Sequence, residues 1–206
     1  MPGIGIIFFD YGNVLSLSQS VSLRSEMQKL SGLDGETFES RYSRYRRPYD
    51  SGLIPAEEYW RRILDDPGGR IGRDRIEALI ELDMKSWEEV DEEMIEIARS
   101  LKERGLTVGI LSNMPVVMDR YLEATKEWYG LFEPRVISGH IRTAKPEPEI
   151  YAYAERAAGT RPEEIIFIDD MEENVRAAAE AGFRVHHYAG AASLVRFLED
   201  ELDGVP

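Results

Sequence analysis

The chain has 206 residues, 43% of them apolar, a length that fits one large domain or a domain carrying a substantial insertion. A formal charge of −14 and a pI near 4.7 argue against a general nucleic-acid or anionic-membrane surface, because like charges repel. Cysteine is absent, which excludes a disulfide framework, a thiol nucleophile and a cysteine metal site.

The first stretch has no basic segment before its apolar run, and Asp10 interrupts that run. Neither a signal peptide nor a membrane span is expected, and the expected setting is the cytoplasm. Ile6-Ile7-Phe8-Phe9 is a run of β-branched and aromatic residues, the pattern of a buried central strand. It delivers Asp10 to the strand's carboxyl end, the edge where ligands sit in an open α/β sheet. An acid there can act as a nucleophile or a metal ligand, although an Asp that opens a turn would look the same.

Residues 20–89 show helical periodicity and no convincing strand. Helices are expected over Val21–Leu30, behind Asp34, from Pro55 and from Asp74 to about Lys85, with Pro48 and Gly52 marking a turn. From Asp91 the pattern becomes helix–strand alternation, the mark of βαβ units. Strands are expected at Leu106–Leu111, Arg135–Ser138, Ile165–Ile168 and Phe183–Tyr188. The intervening helices are Asp91–Arg104, Pro115 to about Trp128, Glu147–Ala158, Glu172–Ala181 and Ser193–Leu202. The expected architecture is an α/β fold with a doubly wound, Rossmann-like parallel sheet and an inserted α-helical cap. Residues 1–15 and 90–206 would form the core, and residues 16–89 the cap.

Three apolar strands end in polar residues: Asp10, Ser112-Asn113 and Asp169-Asp170. Parallel strands share an edge, so these clusters should meet in one crevice. Lys145, one of five lysines, precedes Pro146 in a loop stiffened by a second proline, Pro148. Carboxylates from two strands suit Mg²⁺, a hard ion that pairs with substrate phosphate. A lysine balances charge, while a hydroxyl and backbone N–H groups can hold phosphoryl oxygens. Each residue alone has a humbler reading: Ser112 or the Asp pair as helix caps, Lys145 as a solvated loop charge.

The chain order of these residues resembles the haloacid dehalogenase-like hydrolase superfamily, in its helical-cap branch. Phe8-Phe9, Asp10 and Val14 match the first motif; Leu111-Ser112-Asn113 the second; Lys145 the third. Ile168-Asp169-Asp170, with Asn174 after it, matches the fourth. The resemblance implies that Asp10 forms an aspartyl-phosphate, which water hydrolyses. It implies Mg²⁺ held by Asp10, the Gly12 carbonyl and Asp170, with Ser112 and Asn113 on the phosphoryl oxygens. Lys145 would neutralise charge, Asp169 and Asn174 would orient it, and the insertion would close over the site.

One position departs from that pattern. Such phosphatases usually carry an acid two residues after the nucleophile, and Gly12 stands there. Loss of positioned acid–base help costs about 10²–10⁴-fold. Either the leaving group needs little protonation, or another acid serves, with Tyr49 or Asp50 as candidates, or catalysis is poor. Asp10-Tyr11-Gly12-Asn13-Val14 with Asp169-Asp170 is similar to sugar-phosphate phosphatases of the α-glucose-1-phosphate type, where a hemiacetal oxygen leaves easily.

Arg41 to Asp50 is a dense basic run with interleaved tyrosines, of which Arg47 and Tyr49 are the candidates to face a substrate. His140, His186 and His187 are assigned no catalytic role. The expected function is Mg²⁺-dependent hydrolysis of a small phosphorylated metabolite. The alternatives are metal-free 2-haloacid dehalogenation, against which the Asp pair argues, and a catalytically weak phosphometabolite-binding module.

Overall fold

The computed structural model describes residues 3–202. In chain order the elements are β1 (Ile6–Phe9), α1 (Val21–Ser31), α2 (Gly35–Asp50), α3 (Ala56–Ile63), α4 (Arg73–Ser86) and α5 (Glu92–Glu103). There follow β2 (Thr107–Ser112), α6 (Val116–Thr125), β3 (Arg135–Ile137), α7 (Ser138–Ile141) and α8 (Pro148–Ala158). The last are β4 (Ile165–Asp169), α9 (Glu172–Glu180), β5 (Arg184–His187) and α10 (Ala191–Leu202).

The strands form one five-stranded parallel sheet in the order β3-β2-β1-β4-β5. β1 is central, with Phe8 opposite Gly109 on one side and Phe167 on the other. Helices cover both faces, which is why β1 and β4 read as unbroken apolar runs rather than alternating ones. Ile7, Phe9, Ile110 and Ile168 pack with Met94, Ala98 and Leu194 of α5 and α10. Ile6, Phe8 and Phe167 pack with Ile150, Tyr151 and Ala178 of α8 and α9. Gly109 is required by this packing, since a Cβ there would lie 2.5 Å from the Pro134 carbonyl and 2.7 Å from the Phe8 ring.

Helices α1–α4 lie between β1 and α5 and bury a cluster of their own, including Met27, Phe38, Tyr59, Trp60 and Leu79. The chain leaves and re-enters the sheet domain along one pair of segments. Ser16 and Val90 form an antiparallel bridge, Leu17 N–H donates to Glu89 O at 2.9 Å, and Asp91 N–H donates to Leu15 O at 2.9 Å.

Several boundaries differ from expectation for local reasons. Helix α2 continues through Pro48 to Asp50. Pro48 gives up the bond its N–H would make to the Arg44 carbonyl, but the turn closes beyond it, with the Pro48 carbonyl accepting from Leu53 N–H at 2.9 Å and Ser51 Oγ donating to Arg47 O at 2.8 Å. α6 stops at Thr125 and a separate 3₁₀ turn spans Glu127–Leu131. β3 ends at Ile137, because Ser138 opens the short helix α7.

Candidate active site

Asp10 directly follows β1, and its N–H donates to Ile168 O at 2.9 Å, so the sheet ladder fixes its backbone. The chain then coils tightly through Tyr11–Leu15, with Gly12 at φ −64° and Asn13 in the left-handed region at φ 57°. The turn swings Asn13 across the sheet edge, where its Nδ2 donates to Asp170 Oδ2 at 3.0 Å.

Lys145 is the centre of the cluster and is 3% exposed. Its Nζ lies 2.8 Å from Asp10 Oδ1 and 2.6 Å from Asp169 Oδ2, and donates to Leu111 O at 3.0 Å. Three partners match the three protons of an ammonium. The Asn113 side chain fixes the lysine loop: its Oδ1 accepts from Lys145 N–H at 2.8 Å and its Nδ2 donates to Lys145 O at 3.0 Å. Asp169 is fully buried and accepts from Asn174 Nδ2 at 3.0 and 3.1 Å and from Met171 N–H at 2.8 Å.

Asp10, Asp169 and Asp170 each bring one carboxylate oxygen within 4.8 Å of the others, a group able to hold a metal ion. The donors differ in availability. Asp169 is saturated by Lys145, Asn174 and the Met171 amide. Tyr11 N–H and Lys145 both bind Oδ1 of Asp10, and neither engages Oδ2. Asp170 is half-buried, with Asn13 on Oδ2.

One ammonium faces three carboxylates, so the cluster carries excess negative charge. Burial alone would lower Lys145, but Asp10 and Asp169 outweigh it and hold the ammonium protonated. Burial pushes the Asp10 carboxyl up to about 7, with Lys145 pulling down and Asp169 pushing up. Burial also raises Asp170. An all-oxygen donor set with a charge deficit fits a hard divalent cation.

A cavity of about 480 Å³ opens between sheet edge and insertion. Gly12, Ser112 and Asn113 line its floor, Tyr11, Trp87, Met114 and Met118 an apolar wall, and Gln19, Arg24, Tyr42, Arg46 and Asp50 a polar roof. Arg46 ties the roof together, donating to Asp83 at 3.1 and 3.2 Å and to Tyr42 Oη at 2.9 Å.

The structure therefore gathers Asp10, Gly12, Ser112, Asn113, Lys145, Asp169, Asp170 and Asn174 at one edge. It does not bring Arg47 and Tyr49 to the cavity. Arg47 forms an outer ion pair with Glu147 at 2.8 Å. Tyr49 is buried in the insertion, stacked on Tyr59 with centroids 4.3 Å apart. Arg46 occupies the roof instead, beside Asp50, one of the two candidate acids of the sequence. The i, i+4 spacing of Tyr42, Arg46 and Asp50 was the available signal, masked by the expectation that α2 ends before Pro48. His187 Nε2 lies 2.9 Å from the Asp170 carbonyl oxygen, and His140 pairs with Asp119 at 2.8 Å.

Fold and site together define an open α/β enzyme class with an acid–lysine crevice at the carboxyl edge of its sheet. Residues 4–182 match the haloacid dehalogenase-like hydrolases, and the chain belongs to that family. It is 23% identical over 189 residues to Phosphatase MT3486 of Mycobacterium tuberculosis, covering 89% of this chain and 86% of that protein. The HAD family enzyme BT-2542 of Bacteroides thetaiotaomicron, in a magnesium complex, superposes with a TM-score of 0.75 at 25% identity, over 95% of this chain and 99% of that one. That enzyme has also been crystallised with magnesium and inorganic phosphate. The L-2-haloacid dehalogenase of Xanthobacter autotrophicus shares the fold, with a TM-score of 0.66 at 20% identity over 96% and 83% of the two chains. No helix among the described residues is long and apolar enough to cross a membrane.

Proposed function

We propose that the protein hydrolyses a phosphate monoester of a small metabolite, a sugar phosphate, through an aspartyl-phosphate on Asp10. The observation that carries this reading is the Lys145 ammonium clamped between Asp10 and Asp169 at 2.8 and 2.6 Å. Oδ1 is engaged by Lys145 and the Tyr11 amide, so Oδ2 is the oxygen of Asp10 that acts as the nucleophile. It attacks phosphorus, the bond to the leaving oxygen breaks, and water then attacks the acyl-phosphate to release phosphate and restore the carboxylate. Ser112 and the Asn113 amide hold phosphoryl oxygens, and Lys145 offsets their charge.

Asp10, Asp170 and the Gly12 carbonyl are the residues that would hold Mg²⁺. When bound, the ion would draw the dianionic phosphate to an otherwise anionic crevice. The insertion acts as a cap over this crevice: residues 16–89 supply the roof and exclude water from the reacting group. A cavity near 480 Å³ with one apolar and one polar wall supports a ligand about the size of a monosaccharide phosphate. The relative named a phosphatase and the neighbour crystallised with magnesium and phosphate support the same reaction.

Dehalogenation stays a second reading because of the relatives named 2-haloacid dehalogenases. A phosphate-release screen over a sugar-phosphate panel, with and without Mg²⁺, separates the two. Mg²⁺-dependent release that disappears in Asp10→Asn supports the phosphatase. Chloride release from a 2-haloacid without metal, with no phosphate release, would replace it.

A further inference from the structure

An alkoxide leaving a phosphate monoester is strongly basic, and a proton donated as the P–O bond breaks lowers that barrier. The floor of the crevice has no group free to give one. Asp10 is the nucleophile of the proposed reaction, Asp170 a metal ligand, and Asp169 and Lys145 are bound to each other at 2.6 Å. Gly12, Ser112 and Asn113 do not titrate. The donor must come from the roof.

Two tyrosines and one acid border the cavity. Tyr11 Oη donates to Trp87 O at 2.5 Å and Tyr42 Oη to Asp83 Oδ1 at 2.5 Å, so both phenolic protons are committed. Arginines do not release protons. Asp50 is what remains, and two observations set it apart. Its backbone is tied to the segment after β2: Ser138 Oγ donates to Asp50 O at 2.6 Å and accepts from Met114 N–H at 2.9 Å, one residue beyond Asn113. Its carboxylate is also under-partnered. Arg46 Nε donates to Oδ2 at 3.0 Å, while Oδ1, 2.9 Å from the same nitrogen, is buried without a hydrogen bond.

We infer that Asp50, reached from the insertion, is the general acid that protonates the leaving oxygen and afterwards takes the proton of the hydrolytic water. The inference rests on the phosphatase reading above. In the first step the P–O bonding pair passes to the leaving oxygen, which takes the Asp50 proton and departs as an alcohol. In the second, water gives its oxygen to phosphorus and one proton to the Asp50 carboxylate, so the enzyme returns to its starting state. Burial pushes the Asp50 carboxyl up to about 6, with Arg46 pulling down and Asp83 pushing up, so both forms are accessible near neutrality. Asp50 keeps 13% of its side chain accessible, while Oδ1 itself is buried.

The test compares kcat/KM for an alkyl phosphate, whose leaving group needs the proton, and p-nitrophenyl phosphate, whose leaving group does not. Asp50→Asn keeps the size and the Arg46 contact. It should lower kcat/KM for the alkyl ester by about 10²-fold or more and leave the nitrophenyl ester near its parent value. Equal losses on both substrates would mean a structural role and overturn the inference. The unmodified enzyme supplies a second measurement: across esters of rising leaving-group pKa, its kcat/KM should fall only shallowly. A steep fall would show that no proton is donated and would also overturn it. Asp10→Asn serves as the reference: activity lost on both esters leaves the underlying reading standing, whereas parent activity would remove that reading and Asp50's role with it.

Discussion

Lys145 is where the residue-scale physics is sharpest. A buried ammonium is tolerable only because two carboxylates and a carbonyl surround it, and those carboxylates in turn need it. Lys145→Met removes the cation and leaves Asp10 and Asp169 to bear a buried charge alone. We expect a loss of about 3–5 kcal/mol in urea unfolding at pH 8, and abolished phosphate release. Lowering the pH lets a carboxyl take up a proton, so the stability deficit of the variant should shrink between pH 8 and pH 5. A deficit independent of pH would mean that lost packing, not charge, is the cause.

Among the elements, the turn after α2 decides how the insertion meets the sheet domain. Gly52 has φ +65°, and a Cβ there would sit 2.2 Å from the Gly139 carbonyl oxygen, a backbone atom that cannot step aside. Gly52→Ala should push the insertion off the core, break the Ser138–Asp50 contact, and raise KM more than it lowers the melting temperature. Limited proteolysis should then cut in residues 16–20 or 86–91 faster than in the parent. Unchanged KM and cleavage would show that this approach does not govern docking. Elements of this kind also mark what the sequence discloses. β1 and β4 are readable because strands buried on both faces must be continuously apolar, and Asp10 and Asp169 stand out as the charges that end those runs. Helices α1 and α4 are readable from periodicity and terminal Gly32 and Asp74. Asp50 is legible only as one of two candidate acids and Arg46 not at all: their orientation depends on α2 continuing past Pro48 and on Ser138 meeting Asp50, contacts between segments 88 residues apart. The same dependence misdirects the reading of Arg47 and Tyr49.

At the scale of the whole molecule, protonation links the crevice to stability. Asp10 is raised from an ordinary 3.8 to about 7 and Asp50 to about 6, so between those limits the folded protein holds protons that the unfolded chain has released. Stability in EDTA should therefore fall as the pH rises from about 4 to about 7. Carboxylates held low, such as Glu39 by Arg24 and Glu147 by Thr143 and Arg47, act in the opposite sense, their contribution being lost as the pH falls from the ordinary glutamate value of 4.5. Asp10→Asn should flatten much of the decline, as read by urea unfolding across pH. On the proposed ligand set Mg²⁺ would bind the ionised crevice, so it should raise the melting temperature more at pH 8 than at pH 5. A shift equal at both pH values would place the ion elsewhere.

In the proposed reaction a phosphoryl group passes onto the acid at the end of β1. Rapid acid quench of the enzyme during turnover of a phosphate ester, followed by peptide mapping, tests it directly. A hydroxylamine-labile phosphoryl group is expected on the peptide carrying Asp10. Turnover proceeding with the phosphoryl group on a different residue, or with no covalent species under conditions that slow the second step, would contradict it.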